Sequence, residues 1–247
     1  MKLRKSQAQI LSCSTYPSRV AAWARNSPKS DDSPDFHLYS KEYDGREWTW
    51  YRPLLGDCVR YCPPGPLLDL GCGSGLMVEC ASKYGLDMVG IDGSDLAIAI
   101  GKQRNRELRL FQHDLRRPLP FEDESFQGIV CHQLIEHLSP DSSKHLLGEC
   151  LRVLCKNGAL LVYSPSCFNK KEALDPCHIN LYSPARLATE LKSVGFQVLL
   201  VAATPSLPWP GGRIGSALAR FLYGYLGVRR LALSANAIAQ KPGPFEP

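Results

Sequence analysis

Short apolar runs alternate with segments of helical periodicity along most of this sequence. Runs suited to buried strands occur at seven places: 67–70, 89–92, 108–111, 128–131, 159–163, 196–201 and 231–239. In most of the segments between them, apolar residues recur every three or four positions, which is the spacing of one helix face. This alternation predicts an α/β fold with a doubly wound, mostly parallel seven-stranded sheet and helices on both faces.

Capping residues indicate where several of these helices begin and end. Ser94 and the pair at 183–184 (Ser-Pro) are typical helix starts, because serine accepts a backbone N–H and proline suits the first turn. Gly85 is a typical stop, since glycine readily takes the left-handed conformation beyond a helix end. Upstream, the apolar spacing over 48–59 predicts a further helix, which the proline-rich residues 63–66 end before the first strand.

One stretch changes from strand to helix through three glycines. Gly71, Gly73 and Gly75 follow the strand at 67–70, and helical spacing begins at Leu76. Glycine permits unusual backbone torsions and close approach of a ligand, and a helix N-terminus favours polar or anionic groups. The stretch therefore predicts a nucleotide-like ligand. Its spacing is D-x-G-x-G-x-G, which differs from the G-x-G-x-x-G of dinucleotide-binding turns.

The motif that begins at Asp69 resembles motif I of the class I S-adenosylmethionine-dependent methyltransferases. Later segments extend the resemblance in the expected order: the second strand ends in Asp92, the third is followed by Asp114, and 129–138 resembles the fourth strand and "EH" turn of a subgroup with quinone-biosynthesis and other small-molecule enzymes. The similarity covers about 67–201. It implies a Rossmann-like methyltransferase fold whose final strand is inserted antiparallel.

The resemblance also implies a site for S-adenosylmethionine at the carboxyl edge of the sheet, where open α/β sheets bind ligands. In the family pattern, Asp69 would orient the methionine end, Asp92 would accept both ribose hydroxyls, and Asp114 would accept the adenine amino group. The residues expected at the cofactor are Asp69, Gly71, Gly73, Gly75, Asp92, Asp114, Leu115 and Gln133.

Histidines are the candidates for the acceptor half of the site. The fold should bring His132, His137 and His178 to the same sheet edge, and a neutral imidazole is a suitable general base near pH 7. His178 and Tyr182 lie in a segment that resembles the family's acceptor-pocket lining, so both are predicted to contact the acceptor. A structural role for either residue is the alternative.

A metal ion is not expected. In some relatives an E-x-x-E-H sequence, with another histidine, binds a divalent metal near the acceptor; the corresponding residues here are Gln133, Glu136 and His137. The amide in place of the first carboxylate removes a charge that a hard cation favours. Glu136 and His137 are therefore predicted to cap and orient the loop.

Charge and composition restrict the possible partners and location. The chain of 247 residues has a net charge of +5, and residues 1–30 and 191–245 each hold six Lys or Arg and no acid. Basic ends attract phosphates, anionic lipids or acidic substrates, although solvated surfaces explain them more simply. No recognition module accompanies the charge, so nucleic-acid binding is not expected. Ten scattered cysteines predict reduced thiols in the cytoplasm.

The chain divides into a tail and one predicted domain. Residues 1–36 are basic and turn-rich, and we expect them to form a disordered tail. Residues 37–247 should form the methyltransferase domain, with a helical insertion at about 204–230. The insertion carries an apolar stripe that predicts a wall of the acceptor pocket, with simple packing or peripheral membrane contact as the alternatives.

Together these features predict an enzyme that transfers a methyl group from S-adenosylmethionine to a small-molecule or lipid-like acceptor. The alternative is a non-catalytic module of the same fold that binds S-adenosylmethionine or a partner. We expect a cytoplasmic protein, with contact to a membrane surface through 204–230 as an option. No apolar run approaches the ~20 residues of a membrane span.

Overall fold

Seven strands form one sheet at the centre of the described part of the chain. The computed structural model describes residues 50–203 and 232–243, so the tail at 1–36 and the insertion at about 204–230 lie outside the described residues. The strands are β1 (Leu67–Leu70), β2 (Met88–Asp92), β3 (Leu110–Gln112), β4 (Phe126–His132), β5 (Leu154–Pro165), β6 (Gln197–Ala202) and β7 (Ser234–Gln240).

The sheet has the topology that the resemblance implied. The strand order is β3-β2-β1-β4-β5-β7-β6. Strand β7 runs antiparallel to β5 and β6, whereas β1 to β5 pair in parallel. The order reverses between β1 and β4, and such a switch point opens a crevice at the carboxyl ends of the strands.

Helices surround this sheet, and three of them begin at a serine cap, two of which the sequence predicted at Ser94 and Ser183. Within 50–203 they are α1 (Arg52–Tyr61), α2 (Leu76–Lys83), α3 (Asp95–Arg104), α4 (Pro140–Val153) and α5 (Pro184–Val194), with short 3-10 helices at Ile135–His137 and Glu172–Leu174. The side chains of Ser94, Ser139 and Ser183 each accept the backbone N–H three residues later. These caps satisfy donors that a helix start otherwise leaves unpaired.

Some element boundaries differ from the predicted ones. Strand β3 begins two residues later, because the Leu108 N–H donates to the Asn105 carbonyl in a turn after α3. Strand β5 begins earlier, at Leu154, since it continues through Lys156 and Asn157, whose exposed polar side chains break the apolar pattern. Backbone hydrogen bonding, rather than the pattern of apolar side chains, decides where β3 and β5 begin.

The core lies on both faces of the central strands. All four residues of β1 are buried, and so are the apolar residues of β2 and β4. Leu68, Ile129 and Leu160 have no exposed surface, and full burial of such a side chain contributes roughly 1.5–3 kcal/mol. This packing gives a rigid base for the loops at the carboxyl edge. None of the helices within 50–203 is long and apolar enough to cross a membrane.

Candidate functional site

The glycine loop after β1 has a backbone that only glycine adopts without strain. Gly71, Gly73 and Gly75 have φ values of 71°, 52° and 75°, in the left-handed region that disfavours residues with a Cβ. Gly75 is also the N-cap of α2, and a Cβ there would lie 2.5 Å from the Leu110 side chain. The loop is therefore a tight turn whose glycines carry no side chain that would hold a ligand away from the main chain.

Asp92, at the end of β2, holds this loop from one side. Its Oδ2 accepts the Gly73 N–H at 2.8 Å, and its Oδ1 accepts the Ser94 N–H at 2.8 Å. Burial raises the pKa of the Asp92 carboxyl, and the two backbone hydrogen bonds oppose that rise. Because each carboxylate oxygen can accept a second hydrogen bond, both oxygens can still bind a pair of hydroxyls.

Asp69 supplies a second carboxyl next to the same crevice. It is 4% exposed and lies in register with Gly90 on β2 and Val130 on β4. Burial, together with the charge of Asp92, raises the pKa of Asp69 well above its usual value. A cationic ligand group would offset this burial, since an opposite charge favours the ionised carboxylate.

Asp114 is held by Arg116, a contact that the sequence pattern does not reveal. Arg116 donates from Nε to Asp114 Oδ1 and from Nη2 to Oδ2, both at 2.8 Å. These hydrogen bonds lower the pKa of Asp114 despite its partial burial. The neighbouring Leu115 is 4% exposed. The only sequence signal was the D-x-R spacing, which is too common to single out a pair.

Gln133 and His132 follow β4 at the switch point. Gln133 has a φ of 55°, a strained conformation for a residue with a side chain, and its N–H donates to the Tyr163 carbonyl at 2.8 Å. The His132 ring meets the Tyr163 ring edge to face at 6.2 Å. The Tyr163 hydroxyl donates to Asp57 Oδ2 at 2.7 Å, which fastens α1 to this edge of the sheet.

His137 and His178 lie together, in the segments that follow β4 and β5, with ring centroids 4.9 Å apart. Nδ1 of His137 lies 3.0 Å from the Cys177 carbonyl, and Nδ1 of His178 lies 3.0 Å from the Glu172 carbonyl. A carbonyl oxygen only accepts, so the network assigns the proton to Nδ1 in both rings. In the neutral rings Nε2 is then the free acceptor.

Glu136 completes a cluster with the two histidines. One ligand atom from each of Glu136, His137 and His178 lies within 4.8 Å of the others. Glu136 is fully buried, and neither carboxylate oxygen has a hydrogen-bond partner among the described residues. Burial raises the pKa of the Glu136 carboxyl to about 7.

The sequence predicts that Glu136 and His137 cap and orient this loop, and the two residues differ in the contacts they make. His137 orients the loop as predicted, through its bond to the Cys177 carbonyl. The Glu136 side chain makes no such cap. One carboxylate and two imidazoles form a donor set that could hold a divalent cation, although Gln133 supplies an amide where a further carboxylate would strengthen such a site.

Tyr182 does not reach the crevice. It is fully buried, and its hydroxyl donates to Glu190 at 3.0 Å, accepts from Asn180 at 2.9 Å and lies 2.8 Å from Ser143 Oγ. A buried side chain with a satisfied hydroxyl has no surface left for an acceptor. The burial and these contacts favour the structural alternative for Tyr182 over the predicted acceptor contact. His178, whose side chain is 7% exposed, keeps a small accessible surface.

Sequence comparisons show which known proteins this chain resembles. Residues 68–162 match the family described as "Methyltransferase domain". The chain is 28% identical over 141 residues to a probable S-adenosylmethionine-dependent methyltransferase of Mycolicibacterium smegmatis, covering 56% of this chain and 54% of that protein. It is 31% identical over 147 residues to a demethylmenaquinone methyltransferase of Renibacterium salmoninarum, covering 59% and 58%. The chain thus spans about half the length of these curated relatives.

A solved structure supports the same fold. The S-adenosylmethionine-dependent methyltransferase of Archaeoglobus fulgidus aligns with a TM-score of 0.63 at 17% identity, covering 84% of this chain and all of the other. At that identity the likeness concerns the fold alone.

Proposed function

We propose that this chain, which matches a methyltransferase-domain family over residues 68–162, is a class I S-adenosylmethionine-dependent methyltransferase that methylates a small-molecule acceptor. The observation that carries the proposal is the joint arrangement of the glycine loop and Asp92. The glycines of the loop carry no side chains that would block a ligand, and the carboxylate that holds the loop keeps acceptor capacity for a diol. We further propose that residues 37–247 form the catalytic domain.

The residues present fit S-adenosylmethionine. Asp92 would accept the ribose hydroxyls, Asp69 would face the ammonium group of the methionine part, and Asp114 would accept from the adenine amino group. The loop glycines, Leu115 and Gln133 would line the remaining contacts. Once bound, the cofactor supplies a methyl group on a positively charged sulfur. The buried carboxyl of Asp69 supports this assignment, because an ammonium group beside it would stabilise its ionised form.

We propose His178 as the general base for a hydroxyl acceptor. Its Nδ1 is held by the Glu172 carbonyl at 3.0 Å and lies 3.4 Å from a carboxylate oxygen of the same glutamate. These two contacts hold the ring in place and leave Nε2 to accept a proton. Burial lowers the pKa of His137, which makes it less basic than an ordinary imidazole, and His132 packs against Tyr163.

The surroundings of His178 favour an apolar acceptor. Leu174 and Ile179 flank it on the same loop and are 84% and 61% exposed. Large apolar side chains at the mouth of a crevice suit a ligand with apolar surface. The relative from Renibacterium salmoninarum is a demethylmenaquinone methyltransferase, so a ring with a hydroxyl and an apolar substituent is the class to examine first. Contact with a membrane through 204–230 stays a prediction outside the described residues.

Turnover distinguishes this enzyme from the non-catalytic alternative. The full chain is incubated with isotopically labelled S-adenosylmethionine and a panel of phenols and quinols with apolar substituents, and labelled product is measured. We expect transfer to at least one acceptor, reduced about a hundredfold in His178→Gln, as for loss of a general base. Cofactor binding without transfer to any acceptor would instead favour the binding module.

A further inference from the structure

A guanidinium from α3 lies against the back of the glycine loop. Arg104 Nη2 donates to the Ser74 carbonyl at 2.8 Å, and Nη1 donates to Ser74 Oγ at 3.2 Å. The Nε of the same side chain donates to Glu79 Oε2 at 2.9 Å, in the first turn of α2. One side chain therefore connects α3, the loop and the helix that the loop begins.

The approach of α3 to the loop depends on a glycine. A Cβ at Gly101 would lie 2.3 Å from the Ser74 carbonyl oxygen and 2.6 Å from the Leu110 side chain. Any larger residue would push α3 away from the loop, because the carbonyl belongs to the backbone and the space is closed. Gly101 thus brings Arg104, one turn later on the same helix, within reach of Ser74, which is 2% exposed.

The same contacts fix the orientation of one peptide group in the loop. Arg104 holds the Ser74 carbonyl, while the N–H of the following Gly75 donates to the Cys72 carbonyl at 2.9 Å. The peptide between Ser74 and Gly75 is therefore held at both of its polar atoms. Asp92 holds the Gly73 N–H on the other side of the loop.

Glu79 keeps the guanidinium in place. Burial raises the pKa of Glu79, but hydrogen bonds from Arg104 and Lys83 outweigh it and leave the pKa below its usual value. The Arg104 side chain is 31% exposed, and a pair at that exposure contributes little to overall stability. The N–H donors of the Arg104 guanidinium are charged, however, and charged donors make stronger hydrogen bonds than neutral ones.

We propose that Arg104 is a positioning residue for cofactor binding, which acts by holding the Ser74 peptide in the conformation that the ligand meets. The inference rests on the proposed function, since it concerns the loop that would bind S-adenosylmethionine. Arg104 acts through Ser74. The guanidinium is suited to this role because its planar fork reaches two oxygens of one residue and a third on Glu79.

The test compares three variants of the full chain by calorimetric titration with S-adenosylhomocysteine. We expect Arg104→Ala to weaken binding about tenfold to a hundredfold, as for loss of hydrogen bonds from a charged donor. Arg104→Lys should weaken it less, because one ammonium replaces only part of the fork. Arg106→Ala removes the same charge from an exposed position two residues away and should change the affinity by less than about twofold.

Two further readouts separate positioning from general destabilisation. The thermal transition of the unliganded Arg104→Lys variant should match that of the wild type, and KM should rise for S-adenosylmethionine while KM for the acceptor stays constant. Wild-type affinity in a folded Arg104→Ala or Arg104→Lys variant would overturn the inference and leave the proposed function intact. Absence of ligand binding by the wild-type protein would overturn the proposed function itself.

Discussion

The Asp92 carboxylate accepts the Gly73 backbone N–H at 2.8 Å, and this bond joins the end of β2 to the loop that follows β1. The two residues are 19 positions apart in the chain. One side chain thus does two things: it shapes the loop from inside the crevice, and it presents oxygens to a ligand there. Loop geometry and ligand binding are therefore coupled through Asp92.

Gly75→Ala should destabilise the protein. The backbone φ at this position is 75°, and the new Cβ would lie 2.5 Å from the Leu110 side chain, so strain and overpacking together should lower the free energy of unfolding by about 2–4 kcal/mol. Gly56→Ala is the matched control, because Gly56 lies in α1 with nothing within 4 Å of an added Cβ and should gain roughly 0.5–1 kcal/mol from helix propensity. Urea unfolding measures the free energy of unfolding of both variants. Equal values for Gly75→Ala and Gly56→Ala would contradict a strained and closely packed backbone at position 75.

Ligand affinity should increase with pH because of Asp69. Burial and the charge of Asp92 raise the pKa of the unliganded carboxyl, whereas a bound ammonium group would lower it again. The ionised form is then the binding form, so S-adenosylhomocysteine should bind more tightly as the pH rises through the pKa of Asp69. Calorimetric titration of Asp69→Asn should show weaker binding of S-adenosylhomocysteine and a flatter dependence of the affinity on pH. If the affinity of this variant depends on pH as steeply as that of the wild type, another group causes the pH dependence.

Glu136→Gln should remove a loss of folding stability that grows as the pH rises. The pKa of Glu136 is about 7 in the folded protein against 4.5 for the ordinary group, so between these values the folded state binds more protons than the unfolded state. Stability from this group is therefore complete below about pH 4.5 and falls as pH rises to about 7, by about 3 kcal/mol.

The glutamine variant tests that direction. It should be more stable than the wild type at about pH 8 and similar to it at about pH 5. Burial lowers the pKa of His137, which gives an opposite trend in both proteins, so the difference between their unfolding free energies isolates Glu136. A wild-type protein that is the more stable of the two at high pH would show that the carboxylate is ionised and compensated.

Tyr182→Phe should affect stability and leave catalysis unchanged. The substitution removes a hydroxyl that joins Glu190, Asn180 and Ser143 and should reduce the free energy of unfolding by about 1–3 kcal/mol, because it leaves buried polar partners unsatisfied. The measurement is urea unfolding combined with the KM for the acceptor identified in the transfer assay. A large rise in that KM with unchanged stability would restore the acceptor contact.

The sequence predicted the succession of strands and helices along the chain well, because buried parallel strands and capped helices leave strong local patterns. The glycines and Asp92 were identifiable for the same reason, since their spacing is fixed by one turn. The clamp of Arg116 on Asp114, the reach of Arg104 to Ser74 and the burial of Tyr182 were not, because each depends on where side chains meet in space. The bond between Arg104 and Ser74 spans 30 positions, and no periodicity reports a contact of that kind.

The most direct test of the account is calorimetric titration of the wild-type protein and Asp92→Ala with S-adenosylhomocysteine. We expect the wild type to bind in the micromolar range, at about −8 kcal/mol. The variant should lose most of that affinity, because it loses both the ribose acceptor and the bond that holds Gly73. Equal binding by the two proteins, or none by the wild type, would contradict the assignment of this crevice as the cofactor site.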